Sequence, residues 1–69
     1  MASNNWVFLV SYQQRHKSSI LRAALETEGM EVKLVDKIDN AFNFMGSVEV
    51  YVRQDDFIKA KRVTEKLQL

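Results

Sequence analysis

The chain has no cysteine and a single histidine, and only two of its 69 residues are glycine. Without thiols it can form no disulfide, hold no thiolate zinc site and offer no thiol nucleophile. A metal site would need two or more His or Cys at ligand spacing, and His16 stands alone. As a general base His16 would need a partner, and the sequence nominates none, so a surface or half-buried histidine is the simpler reading. Gly29 and Gly46 lie too far apart for a phosphate-cradling loop. No apolar run approaches the roughly 20 residues of a membrane helix. The first five residues place no basic region ahead of the apolar segment, which argues against a signal peptide. A soluble cytoplasmic protein is therefore expected. Charge is scarce in excess: the net value is +1, with acids and bases interspersed. That leaves no electrostatic footprint for nucleic acid. Neither a cofactor nor a metal is expected, and no enzyme can be assembled from these groups.

What is present is apolar substance in a short chain. Hydrophobic residues make up 46%, enough for a core and too many for a disordered segment. The length corresponds to one domain, residues 1–69, with a core from about 6 to 67. A domain this small buries only about 60% of its unfolded surface, so its stability margin is thin.

The clearest local signal is Val48-Glu49-Val50-Tyr51-Val52-Arg53, a strict alternation over six residues. One face is β-branched and apolar and should lie against helices; the other carries an acid, a phenol and a base. A second strand is expected over residues 6–12. Strict alternation there puts Trp6, Phe8, Val10 and Tyr12 on one face and Val7 and Leu9 on the other. Gln13 to Glu28 predicts a helix with Ile20, Leu21, Ala24 and Leu25 on its apolar stripe, closed by Gly29 and a folded-back Met30. Arg22 and Glu26 fall at i,i+4 on its solvated side. Residues 31–35 alternate again, with Val32 and Leu34 inward. After the valine strand, Asp55 or Asp56 should cap a last helix whose stripe is Phe57, Ala60, Thr64 and Leu67, flanked by Ile58 and Val63. Lys59, Lys61, Arg62 and Lys66 read as its solvated face, diluted by nearby acids.

Three strands and two helices in this order predict an α+β fold, a ferredoxin-like βαββα two-layer sandwich. The valine strand takes the middle of a three-stranded antiparallel sheet, and both helices cover one face. The first crossover should be right-handed. The segment from Asp36 to Ser47 mixes turn formers with Ile38, Phe42, Phe44 and Met45, and is long for a plain hairpin connection. Its aromatics either tuck against the core or meet a ligand.

Several short motifs fall in a familiar order. Trp6 opens the first strand, Leu25-Glu26-Thr27-Glu28-Gly29 ends the first helix, and Asp36-Lys37-Ile38-Asp39 follows. A step through Gly46 leads into Glu49-Val50-Tyr51-Val52, and Asp55-Asp56-Phe57-Ile58-Lys59-Ala60 opens the last helix. Over residues 6 to 67 the chain resembles a small bacterial domain family of unknown function, named as prokaryotic signal-transducing and similar in fold to ferredoxin-like, PII-type signal proteins. It departs from that pattern at Asp36, where asparagine is the family's residue, and at Met45, where an aromatic is. The resemblance implies a non-enzymatic regulatory module binding a small ligand or partner. Lys37, Asp39, Phe42 and Phe44 would form its binding surface, since loops on a rigid scaffold carry binding. The alternative is an assembly module that self-associates through its sheet, with no small ligand. Residues 6–12 contain no Lys, Asp or Pro to blunt an edge strand, and Val7, Leu9 and Tyr51 together would make an exposed apolar patch. A homodimer through that edge or face is expected. The competing cover is the long loop or the N-terminal tail folded over the edge.

Overall fold

The structure is a computed structural model that describes residues 5–37 and 46–69. Strand β1 runs Trp6–Tyr12, helix α1 Arg15–Thr27, strand β2 Val32–Asp36 and strand β3 Val48–Arg53. A single 3-10 turn over Gln54–Asp56 leads into helix α2, Phe57–Leu67. The sheet order is β1-β3-β2, and β3 runs antiparallel to both neighbours. The expected α+β architecture is therefore present, with both helices on one face of a three-stranded antiparallel sheet. Among the described residues no helix is long and apolar enough to cross a membrane.

The alternation in β3 decides this arrangement. Val48, Val50 and Val52 are 2%, 0% and 0% exposed. Val50 and Val52 pack with Leu21 and Leu25 of α1, Met30 and Ala60 of α2 in one cluster. From β2, Val32 and Leu34 join its rim, opposite Val52 and Val50, as their alternation requires.

The phase of β1 differs from the strict alternation expected. Val7 pairs with Val52 and Phe8 with Tyr51, but Val10 pairs with Val50. Leu9 is the extra residue of a β-bulge. A bulge sets two residues of one strand against one of its partner and shifts the facing pattern between them. As a result Val7, Leu9, Val10 and Tyr12 all pack against the helix-side core. The expectation that Val7 and Leu9 would stand on the outer face is thus overturned. Trp6 and Phe8 take that face instead, opposite Arg53 and Tyr51. The edge strand also carries one of the blunting devices that its composition lacks.

Helix α1 begins at Arg15, two residues later than expected. Its buried positions are Ser18, Leu21 and Leu25, an i, i+3, i+7 stripe. The Ser18 hydroxyl can be buried because it donates to the Arg15 carbonyl at 2.6 Å. Ile20, expected on the apolar stripe, is 45% exposed: it lies about 100° around the helix from Leu21, away from the sheet. The Arg22–Glu26 pair forms at 3.2 Å. In α2, Ala60 is fully buried, with Phe57, Val63 and Leu67 against the same cluster. Ile58 is 70% exposed. Asp56 occupies the N-cap position of α2 without a side-chain capping bond, so its contribution there is its charge at the positive end of the helix.

The end of α1 follows from one residue. Gly29 has φ +87°, the left-handed region that glycine enters without a steric penalty. This turns the chain so that Gly29 N–H reaches the Glu26 carbonyl at 2.9 Å and Met30 N–H the Leu25 carbonyl at 3.1 Å. The pair of bonds is a Schellman closure, and it drops Met30 into the core at 4% exposure. A methyl group on Gly29 would meet nothing within 4 Å, so any penalty there is conformational. Gly29→Ala should therefore cost roughly 1–2 kcal/mol. In a domain of this size each kcal/mol lowers Tm by about 4–8 °C, which a thermal melt resolves. An unchanged melting temperature would contradict this account of the turn.

Candidate functional site

Burying the three valines commits the other side of β3 to the opposite face. There Glu49, Tyr51 and Arg53 stand in a row. The register brings Trp6, Phe8 and Ser11 beside them from β1, and Lys33 and Val35 from β2. Among the described residues no helix covers this face, because α1 and α2 both pack on the other.

Its centre is aromatic. Phe8 and Tyr51 meet edge to face, ring centroids 5.9 Å apart and planes at 78°. This geometry sets the positive edge of one ring against the negative face of the other. Phe8 remains 49% exposed. The Arg53 guanidinium lies 4.2 Å from the Trp6 ring centroid, and the Lys33 ammonium 6.0 Å from the same ring. Both are within the range of cation–π attraction.

Charges around the aromatics are matched locally. Arg53 Nε lies 2.8 Å from Glu31 Oε1. Glu49 Oε1 accepts the Tyr51 hydroxyl at 2.9 Å and has the Lys37 ammonium at 3.4 Å. Arg15 and Asp36 pair at 2.7 Å across the ends of α1 and β2. The hydrogen bond to Glu49 holds the Tyr51 phenol above its ordinary value of 10.0; desolvation and the Glu49 charge add to this, and Lys37 opposes it. On the helix side, burial alone raises the Tyr12 phenol.

Of the residues expected to bind a ligand, Lys37 follows directly on β2. Its N–H donates to the Ser47 carbonyl at 2.8 Å, closing the connection's two ends, and its side chain turns to Glu49 on the outer face. Asp39, Phe42 and Phe44 lie outside the described residues. Tyr51 is on the outer face as expected, without Val7 and Leu9. His16 is exposed in the first turn of α1. The described residues hold no group of three or more His, Asp or Glu side chains placed to share a metal ion.

Trp6 and Phe8 are the site residues that alternation alone missed. The register shows why: Trp6 pairs with Arg53 and Tyr12 with Val48, so seven residues of β1 span six of β3 and one of them is extra. Ser11, the polar member of β1, also falls opposite Glu49 on the outer face, three residues beyond Phe8 rather than two or four. Comparison with known proteins adds no relative: no family model, curated protein or solved structure matches the chain.

The Glu49–Tyr51 contact can be tested by titration. With Tyr12→Phe the phenolate absorbance reports Tyr51 alone, since the chain has two tyrosines. Glu49→Gln should then move the Tyr51 midpoint down toward 10.0, because the group that chiefly raises it loses its charge. An unmoved midpoint would exclude the contact in solution. The sign for stability follows: a phenol harder to ionise when folded contributes fully below about pH 10, and that contribution is lost as pH rises through the folded-state value.

Proposed function

We propose that the chain is a non-enzymatic regulatory module that acts by binding through the open face of its sheet, and that its partner there is a second copy of itself. The observation that carries this reading is the aromatic face of Trp6, Phe8 and Tyr51, on the side away from both helices and covered by no helix among the described residues. Aromatic side chains with few rotatable bonds are the usual anchors of protein interfaces. The apolar surface also continues over the free edge of β1. Val7, Phe8, Phe57 and Ile58, with Gln54, line a hollow of about 450 Å³ there. A contiguous exposed apolar region of this kind marks an interaction surface more often than a free one.

The paired charges favour a protein partner over a polyanion. Arg53 and Lys37 already have Glu31 and Glu49 beside them, so a phosphate backbone would have to displace those contacts. Packing of two open sheet faces about a two-fold axis asks for no net charge and buries the rings of both copies. The bulge at Leu9 disfavours edge-to-edge pairing and makes the face the preferred contact. The resemblance to a signal-transducing bacterial family, together with a sequence that has no cysteine and one histidine and nominates no base beside a nucleophile, supports a regulatory role in the cytoplasm.

A second reading, a small-ligand site at the 37–45 segment, rests on Lys37. Its ammonium shares Glu49 Oε1 with the Tyr51 hydroxyl, so a ligand engaging Lys37 would be felt on the sheet face. In that case a metabolite thermal-shift screen should give a hit that Lys37→Ala abolishes.

Light scattering at micromolar concentration separates the outcomes. A dimer of about 16 kDa, twice the 8.0 kDa chain, is expected. Phe8→Lys should return it to monomer, since loss of a central aromatic anchor costs about 2 kcal/mol or more before the buried charge is counted. Ile20→Lys, on the far side of α1, should leave it a dimer. A strict 8.0 kDa monomer for the unaltered chain would rule the homodimer out.

A further inference from the structure

The helix layer carries a surface of a different character. Between α1 and α2 lies a hollow of about 470 Å³. Its floor is apolar, from Ala24 of α1 and Val63 and Leu67 of α2, and its α2 wall carries Lys59, Arg62 and Lys66. Those three cations are spaced i, i+3, i+7, so they line one face of the helix over about 10 Å. Glu28 is the groove's one carboxylate. Three cations against one anion leave it at +2 while the whole chain carries +1, so the rest of the molecule is net −1. On the sheet face, by contrast, Lys37 and Arg53 each have a carboxylate beside them. Lys59 donates to the Glu28 carbonyl at 3.5 Å and is tied to the end of α1. Arg62 and Lys66 form no ion pair among the described residues.

We propose that this groove docks an acidic amphipathic helix of a partner protein. The periodicity carries the argument. A helix laid along the groove would set carboxylates at its own i, i+3 or i+4, and i+7 positions against Lys59, Arg62 and Lys66, with leucine-like residues beside them filling the hollow over Ala24 and Val63. The lining favours a helix over a compact small molecule. Its polar groups are mainly long, flexible cations spread along one wall, whereas small-molecule sites rely on a few fixed donors converging on one point. Ala24 and Thr27 keep the α1 wall low, which lets another backbone approach closely. The surface is independent of the sheet face, so a partner could dock while two sheets remain together.

The test uses the intact chain and a fluorescently labelled peptide of roughly 14 residues, about four helical turns. The peptide places Glu at i, i+3 and i+7 with Leu at the adjoining positions. Anisotropy should report saturable binding of this peptide and none of its Lys-for-Glu counterpart. Arg62→Gln combined with Lys66→Gln should weaken binding at least tenfold with circular dichroism and melting unchanged. Ala24→Gln, which fills the hollow from a half-buried position of α1 without altering charge, should weaken it as well. Equal binding of a composition-matched scrambled peptide would overturn the proposal, since charge alone would then suffice. So would unchanged affinity in either variant. Tighter binding of a single-stranded oligonucleotide at Arg62 and Lys66 would assign the cations to phosphate instead. Light scattering on the same variants reads the sheet contact separately, so failure of one surface is distinguishable from failure of the other.

Discussion

The structure depends on the burial of Val48, Val50 and Val52 against the two helices. Each fully buried side chain of this size contributes about 1.5–3 kcal/mol. A domain of 69 residues holds only about 0.05–0.15 kcal/mol per residue in total, so three such side chains compare with the whole margin. A one-residue slip of β3 would turn all three to water and bring Glu49, Tyr51 and Arg53 inward, which fixes the register. The same constraint decides the functional surface. Once the valines are committed to the helices, the phenol and both charges of β3 have to stand on the opposite face.

β1 then has to satisfy two demands on a strand whose residues other than Ser11 are all apolar or aromatic. It supplies Val7, Val10 and Tyr12 to the helix side, and it covers the outer side of β3 with rings. Strict alternation cannot do both, because Val7 and Val10 have opposite parity. The bulge at Leu9 resolves the conflict by adding one residue between Phe8 and Val10. The result is a sheet with one face closed by helices and one that, among the described residues, carries the Phe8–Tyr51 and Trp6–Arg53 contacts and no helix. Ion pairs at the margin of that second face leave its centre the apolar part. In so small a domain an aromatic face without a helical cover is costly to expose, and a partner is the natural cover.

Much of this was legible in the residues. The alternation of β3 is clean because each of its residue types suits one environment, and its bounds agree to the residue. Gly29 announced the end of α1, since few residues other than glycine turn a helix at φ +87°. Ile20 misled because i and i+1 apolar residues both look inward until the stripe's phase is known; Ser18, polar by type, took the buried place through a bond to its own helix. Val7 and Leu9 misled for a related reason: with both parities apolar, pattern carries no phase, and the bulge shows only once both strand ends are seen to pair. Asp55 or Asp56 was expected to cap α2; the 3-10 turn before the helix puts Asp56 at the N-cap position, and its side chain forms no capping bond there. Of the expected ligand segment, only Lys37 falls among the described residues, and the use of its side chain on Glu49 had no sequence signature.

Trp6 is the chain's one tryptophan and stands on the face in question, so its emission is the most direct witness. The emission spectrum and acrylamide quenching of the intact chain would be followed from nanomolar to high micromolar concentration. Closure of the open sheet face predicts a shift to the blue and reduced quenching as concentration rises, both midpoints coinciding. Emission and quenching that stay constant across the whole range would contradict the account.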